Sequence, residues 1–297
     1  MISTNAGSHP GRISARDWGL LLTISVIWGS SFLWIAIGLD HLGPGVIATV
    51  RVALGAASLS TLRASRVTIA RSDWLAISIV GVAGNAAPAL LFALAEQSVS
   101  SSIVGMLNAA VGLVTLSIAF AMGNRSITGR HVAGLTVGLA GVGLLIWPTM
   151  QGGRAGVVGV GWVALALLGY GLTNNVLPPL QQKYGGIAVI ARAQMIGTVV
   201  LLPFGIADLG ESTFAWGSVL AVLILGVFGT GVARAMYATI LGRVGAPRGS
   251  IVAYIIPIVA VILGITFLNE HVQLIQLAGL ALVLGSVLLT SSRLKQT

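Results

Sequence analysis

Long apolar stretches alternate with short polar connections along the whole chain. The pattern predicts ten helices, at about 18–38, 45–62, 74–95, 100–122, 131–149, 157–179, 186–206, 216–240, 249–268 and 272–291. Stretches of this length can cross about 30 Å of hydrocarbon. They are continuously apolar rather than alternating, which excludes a transmembrane β-barrel. The connections leave no room for a soluble domain. Residues 1–16 form a polar tail, expected to be cytoplasmic. The apolar stretch after it lacks a small-residue cleavage site and reads as a first membrane helix rather than a removable signal.

The stretch 92–144 returns 145 positions later as 237–289. Val99 then falls on Val244, Val114 on Val259 and Asn124 on Asn269. Ala133-Gly134-Leu135 falls on Ala278-Gly279-Leu280, Leu139 on Leu284 and Val142 on Val287. Matches among apolar residues carry little weight, but the paired Asn and the triplet in one register carry more. A weak internal repeat in an apolar chain is a mark of transporters built from two halves.

Composition agrees: the chain is 56% hydrophobic, only 8% charged, and has a mean hydropathy of +0.98. There is no cysteine, which rules out disulfides and thiol chemistry. The net charge of +9 does not point to nucleic acid, because the basic residues sit singly or in small groups in short loops. One side of the membrane collects Arg12, Arg16, Arg63, Arg66, Arg71, Arg125, Arg130, Lys183, Arg243, Arg248, Arg293 and Lys295. The other has Arg154 alone, with Asp40, Glu96, Asp208, Glu211 and Glu270. By the positive-inside rule both termini are cytoplasmic.

Five helices per half is an odd number, so the second half starts on the opposite side and the repeat is inverted. Arg51 in helix 2 and Arg192 in helix 7 lie equally deep from opposite faces. Trp28-Gly29 pairs with Tyr170-Gly171, and Gly81-Val82-Ala83-Gly84 with Gly226-Val227-Phe228-Gly229. The fold class expected is an all-α membrane protein, with one five-helix repeat over 17–150 and another over 157–293.

These features, with Trp28-Gly29-Ser30-Ser31-Phe32 in the first helix and Leu268-Asn269-Glu270 before Gly279 and Gly285 in the last, resemble the EamA family of the drug/metabolite transporter superfamily. Among its bacterial members the chain looks closest to YddG-like amino-acid exporters, whose substrates include aromatic amino acids. The resemblance implies an inner-membrane carrier with a cavity lined by helices 3, 4, 8 and 9. One departure stands out: the family often carries an acid at this turn in both halves, but here Arg125 stands opposite Glu270.

Substrate in such carriers binds near the midplane, where helices are interrupted. Candidate interruptions are Pro88, after Gly81, Gly84 and Asn85, and Pro257, with Gly112 as its counterpart; Gly84, Gly112, Gly229 and Pro257 are candidate hinges. Ordinary membrane-helix irregularity is the alternative. Candidate substrate contacts are Trp28, Ser30, Asn85, Pro88, Asn108, Tyr170, Asn174, Tyr237 and Tyr254, within a polar set that includes Thr173, Asn175 and Gln194. Amides and hydroxyls suit the charged ends of an amino acid and aromatic faces its side chain. The same residues could instead bond helix to helix.

Arg51, Arg192 and Arg234 lie inside predicted helices within two turns of an end, where they either snorkel or line a vestibule for a carboxylate or phosphate. Every acid falls in a loop or at a helix end, so facilitated movement is expected rather than drive through a buried carboxylate. Gly134, Gly138 and Gly141 on helix 5 serve internal packing or dimerisation, leaving a monomer or a weak homodimer.

An enzyme is disfavoured: there is no zinc or P-loop motif, and no buried base to activate a serine. No cofactor or metal is expected. A structural subunit would not need an inverted repeat with midplane breaks, and a channel would need a continuous polar stripe. A transporter is the reading that remains, with the hairpins around 96–102 and 242–249 as its outer and inner gates.

Overall fold

The computed structural model describes residues 14–123, 128–244 and 246–291. Arg12, Asn124, Arg125, Arg293 and Lys295 lie outside them. All regular structure among the described residues is helical. Seven stretches are long and apolar enough to cross a membrane: Ala15–Leu39, Arg71–Glu96, Ser101–Ala121, Gly129–Gln151, Arg154–Tyr184, Gly186–Gly210 and Trp216–Leu241. Three shorter apolar helices, Pro44–Ser60, Ile251–Phe267 and Leu274–Leu289, accompany them.

Several spans are broken inside. The first is α1 (Ala15–Gly29) and α2 (Ser31–Leu39), parted at Ser30, where the hydroxyls of Ser30 and Ser31 both donate to the Ile27 carbonyl. Such back-bonding competes with the helical ladder and bends it. After α3 (Pro44–Ser60), the next span runs as α4 (Trp74–Gly81), a π turn over Val82–Ala86, and α5 (Ala87–Glu96). Then α6 (Ser101–Asn108) and α7 (Val111–Ala121) are separated by Ala109 and Ala110. Continuous helices follow: α8 (Gly129–Gln151), α9 (Arg154–Tyr184) and α10 (Gly186–Ala207). A second π segment, Leu225–Val232, joins α11 (Trp216–Ile224) to α12 (Ala233–Val244). The short α13 (Ala246–Gly249) leads into α14 (Ile251–Phe267), and α15 (Leu274–Ser291) ends the fold.

The largest departure from the expected boundaries is the end of α9, which runs past Pro178 and Pro179 to Tyr184. Proline should stop a helix there, but tertiary contacts hold the last turn. The Tyr184 hydroxyl and Lys183 Nζ both donate to Asp73 Oδ2, the latter over 2.7 Å. Gly185, at φ 83°, then turns the chain in a region that favours glycine.

Packing between elements follows a pattern of exchange. The elements α8 and α15 pack on each other, as do α3 and α10. The contact of α5 with α9 is matched by that of α12 with α1, that of α4 with α9 by α11 with α2, and that of α7 with α9 by α14 with α1. The match reaches single residues. A Cβ on Gly29 would stand 2.5 Å from Val259 of α14, and one on Gly171 would stand 2.8 Å from Val114 of α7. In the sequence Gly29 is the mate of Gly171 and Val114 of Val259. On α8, Gly138 faces Leu113 and Ser286, and Gly141 lies 2.7 Å by the same measure from the Gly279 carbonyl of α15. These two glycines therefore serve close helix contact within the chain.

Two acids of the loops turn out to be helix caps supplied from elsewhere in the chain. Asp208 Oδ2 accepts from Gly45 N–H (2.6 Å) at the start of α3. Glu270 accepts from Ser101 N–H (2.7 Å) with one oxygen and from Ser102 N–H (2.9 Å) with the other, at the start of α6. The first N–H groups of a helix lack internal partners and carry its positive dipole end, so a carboxylate suits both needs. Asn269, at φ 52°, is the only described non-glycine residue with positive φ. Asn tolerates that region better than most residues, and here it turns Glu270 back towards α6.

Candidate functional site

The two π segments define the centre. In the first, the amide of Ala87 bonds back five residues to the Val82 carbonyl, because Pro88 next to it has no N–H to continue the α register. Asn85 Nδ2 donates to the Val80 carbonyl (2.9 Å). In the second, Ala233 N–H reaches Phe228 and Thr230 Oγ1 donates to the Leu225 carbonyl (3.1 Å). Asn85 and Thr230 stand 145 positions apart, as do Val80 and Leu225. Each half thus opens a turn and satisfies it with a side chain five residues on. No proline lies in the second segment, so glycines and Thr230 do there what Pro88 helps to do in the first.

Glycine lets a neighbour approach each π segment. A Cβ on Gly84 would meet Thr173 of α9 at 2.6 Å, and one on Gly229 would meet the Ser31 hydroxyl at 3.3 Å. Trp28 Nε1 donates to the Gly229 carbonyl (2.9 Å), so the indole spans from α1 to the second π segment. The amide of Gln194, fully buried on α10, donates to the Thr230 carbonyl (2.9 Å).

Around these breaks the aromatic residues come together. Trp28 and Tyr237 have ring centroids 5.0 Å apart, and Phe92 and Tyr170 5.9 Å. Trp28 is the mate of Tyr170, and Phe92 of Tyr237, so these are equivalent pairs in the two halves. Phe32 joins Phe92 edge to face at 5.8 Å. Arg51 points inward, its Nε donating to Thr230 Oγ1 (3.4 Å). It lies within electrostatic range of Tyr170, Arg234 and Glu96, and Arg234 also feels Tyr170. Arg192, half-buried near the start of α10, takes no part in this cluster among the described residues.

Other candidates lie apart from it. Asn174 is exposed and its amide donates to Thr115 Oγ1 of α7 (3.1 Å); Asn175 donates to the Thr115 carbonyl (3.1 Å) and to that of Gly171 (2.8 Å). Here the helix-to-helix alternative accounts for both residues. Asn108 is half-buried at the end of α6, and Tyr254 half-buried near the start of α14. The breaks do not coincide with Gly112 or Pro257. Gly112 lies inside α7 in ordinary contact with Val287, and Pro257 is buried within a continuous α14. The interruption of the fourth span falls instead at Ala109–Ala110, where no side chain type announced it.

Ser30 faces a crevice of about 180 Å³ between the first span and the second π segment, lined also by Trp34, Leu225 and Phe228. Phe228 and Val26 are about half exposed at its edge, so it opens on the flank of the bundle rather than at the arginines. Two residues were missed by sequence reasoning. Thr230 looked like one more hydroxyl in an apolar helix. Glu96 does stand at a helix end, but that end is itself covered: both its carboxylate oxygens are buried and have no hydrogen-bond partner.

A multi-span helical membrane protein, with broken helices and converging charged and aromatic side chains, has the build of a solute carrier. The profile of the EamA-like transporter family matches residues 18–147 and again 157–292, and the chain belongs to that family. It is thus a transporter and not an enzyme. A protein of Streptantibioticus cattleyicolor named probable terminal-alkyne amino-acid exporter is 25% identical, with 95% of each chain covered. The inner membrane transporter YedA of Escherichia coli K12 is 28% identical over 92% of this chain and 90% of its own. A Salmonella typhimurium protein named probable amino-acid metabolite efflux pump is 22% identical over 93% and 94%. A solved crystal structure shares the fold, with a TM-score of 0.64 at 18% identity over 93% of this chain and 96% of that one.

Proposed function

We propose that the protein exports amino acids, aromatic ones included, across the bacterial inner membrane. The observation that carries this reading is the convergence of Arg51, Arg234, Tyr170, Phe92, Trp28 and Tyr237 from five spans on one region. Guanidinium groups suit a carboxylate, and aromatic faces suit an apolar or aromatic side chain. The names of the relatives from Streptantibioticus and Salmonella support the substrate class.

In this reading all ten apolar helices span, as two five-helix repeats of inverted topology with both termini cytoplasmic. The doubled family match, the exchanged helix contacts and the mated π turns support the repeat. The halves rock about the central cluster, with alternating access. The α5–α6 hairpin closes the outside, supported by the Glu270 cap on α6, and the hairpin around 242–249 closes the inside. Trp28, Ser30, Asn85, Pro88, Asn108, Tyr170, Tyr237 and Tyr254 remain the proposed substrate-facing set, without Asn174, which bonds α9 to α7; Gly84 and Gly229 remain the proposed hinges, without Gly112 and Pro257, which lie inside continuous helices; and Arg192 is a structural charge. Movement is facilitated, by a monomer or a weak homodimer.

The test is flux of labelled tryptophan, phenylalanine, threonine and methionine through purified protein in liposomes. Saturable flux of the aromatic pair without a pH gradient is expected. Flux of none of them through folded protein would move the substrate to another small neutral or cationic metabolite. Concentrative uptake driven by a pH gradient at fixed potential would end the facilitated reading.

A further inference from the structure

Glu96 closes α5, with Phe92 one helical turn before it and therefore on the same face. Phe92 packs on Tyr170, and Tyr170 and Glu96 both lie in the electrostatic field of Arg51. The carboxylate thus stands one turn further along α5 than the ring pair, beside the cluster already described. Both its oxygens are buried without a hydrogen-bond donor. A buried carboxylate left so is costly unless a partner arrives.

The surrounding charges do not supply that partner. Arg51 feels Glu96 but makes its hydrogen bond to Thr230, and among the described residues no ion pair joins the two. Glu270 is the other charged group in range, and it is an anion whose oxygens serve Ser101 and Ser102. The region therefore holds two guanidiniums, two ring pairs and an unsatisfied acceptor within one another's field. A guest that completes it has an anionic end, an apolar body and a compact cation with several N–H donors. An α-amino acid zwitterion has these parts, and its ammonium carries three donors for the two oxygens.

We infer that Glu96 binds the cargo's ammonium group, so that the amino acid lies between Arg51 and Arg234 at its carboxylate and Glu96 at its nitrogen. This rests on the amino-acid reading above and adds what that reading lacks, the recognition of the amine. Glu96 then sets specificity: acids without an amine and amines without an acid each satisfy one end only. In the proposed topology Glu96 lies beyond the rings towards the outside, which makes the ammonium the leading end of an exported molecule.

The test uses flux of labelled L-tryptophan in liposomes, competed by L-tryptophan, by tryptamine (no carboxylate) and by indole-3-propionate (no ammonium). In the wild type, L-tryptophan should compete best. Loss of a charge-assisted hydrogen bond is worth about tenfold to a hundredfold in affinity. Glu96→Gln should therefore raise half-saturation by L-tryptophan by about that factor and weaken tryptamine similarly, with indole-3-propionate unchanged. Glu96→Asp, which keeps the charge should the amide disturb folding, should preserve the order of the three competitors.

Unchanged half-saturation by L-tryptophan in Glu96→Gln would overturn the inference, as would equal weakening of all three, which marks a structural role. It would also fall if Glu96→Gln lost only stimulation by a pH gradient and kept tryptophan exchange at the same half-saturation, because Glu96 would then carry a proton. Wild-type protein that moves no amino acid removes the exporter reading itself, and the inference with it.

Discussion

A π turn sets a backbone carbonyl free inside a medium without water, and that carbonyl has to find a donor. Asn85 and Thr230 provide one each, at equivalent places in the two halves. Asn85→Leu and Thr230→Val should each lower stability by about 1 kcal/mol, read as a fall in thermal unfolding temperature in detergent. The double variant should lose the sum, because the two sites share no partner. Close packing makes a second prediction at this scale. Gly29→Ala and Gly171→Ala would place a Cβ against Val259 and Val114, and should each cost about 1–3 kcal/mol through forced repacking. Little of this was legible in the sequence. Asn85 stood out as an amide in an apolar run, but Thr230 did not, since threonine is common in membrane helices and its partner is a carbonyl. Glu96 was hidden by its position at a helix end, where burial depends on which loops fold over it.

Among the elements, the helix breaks were legible as regions and illegible as residues. Pro88 does lie beside a break, because a missing N–H has to be absorbed locally. Pro257 does not interrupt α14, and the break in the fourth span needed neither glycine nor proline. Helix ends were read well where charge or a cap marked them, and badly at α9, where Asp73 overrides two prolines. Pro88→Ala restores the N–H that an uninterrupted α register requires. It should raise the unfolding temperature or leave it unchanged while slowing transport, if the π turn serves motion. Turnover equal to the wild type would remove that role from the π turn. Glu270→Ala removes the acceptor of two N–H groups at the start of α6, and loss of a helix cap is worth about 0.5–2 kcal/mol. The hairpin beside it should then open more often. A cysteine placed at the buried Val99 should react faster with an impermeant maleimide added outside than it does with Glu270 intact.

For the whole molecule, the absence of cysteine makes every introduced thiol a clean reporter. Leu62 and Leu209 are both exposed, at connections assigned to opposite sides. In intact cells, external maleimide should label Leu209→Cys and spare Leu62→Cys; the reverse result would invert the topology. Cross-linking either hairpin, at 96–102 or 242–249, should stop flux and leave the fold intact. Undiminished flux through the locked protein would exclude alternating access. The fold class was legible because the lipid forces it: twenty apolar residues in a row have few other uses. The substrate region was legible only as a list of polar residues, since which of them meet is decided by contacts between halves. The Glu270 cap carries one more consequence. In the first half the equivalent position is Arg125, whose side chain offers no acceptor to a helix N-terminus. Whatever fastens the inner face, it is not a copy of this latch. In the proposed topology the two leaves of the valve are thus sprung differently: two hydrogen bonds from Glu270 hold the outer one, and the ion pair of Arg243 with Asp17 (2.9 Å) ties the inner one.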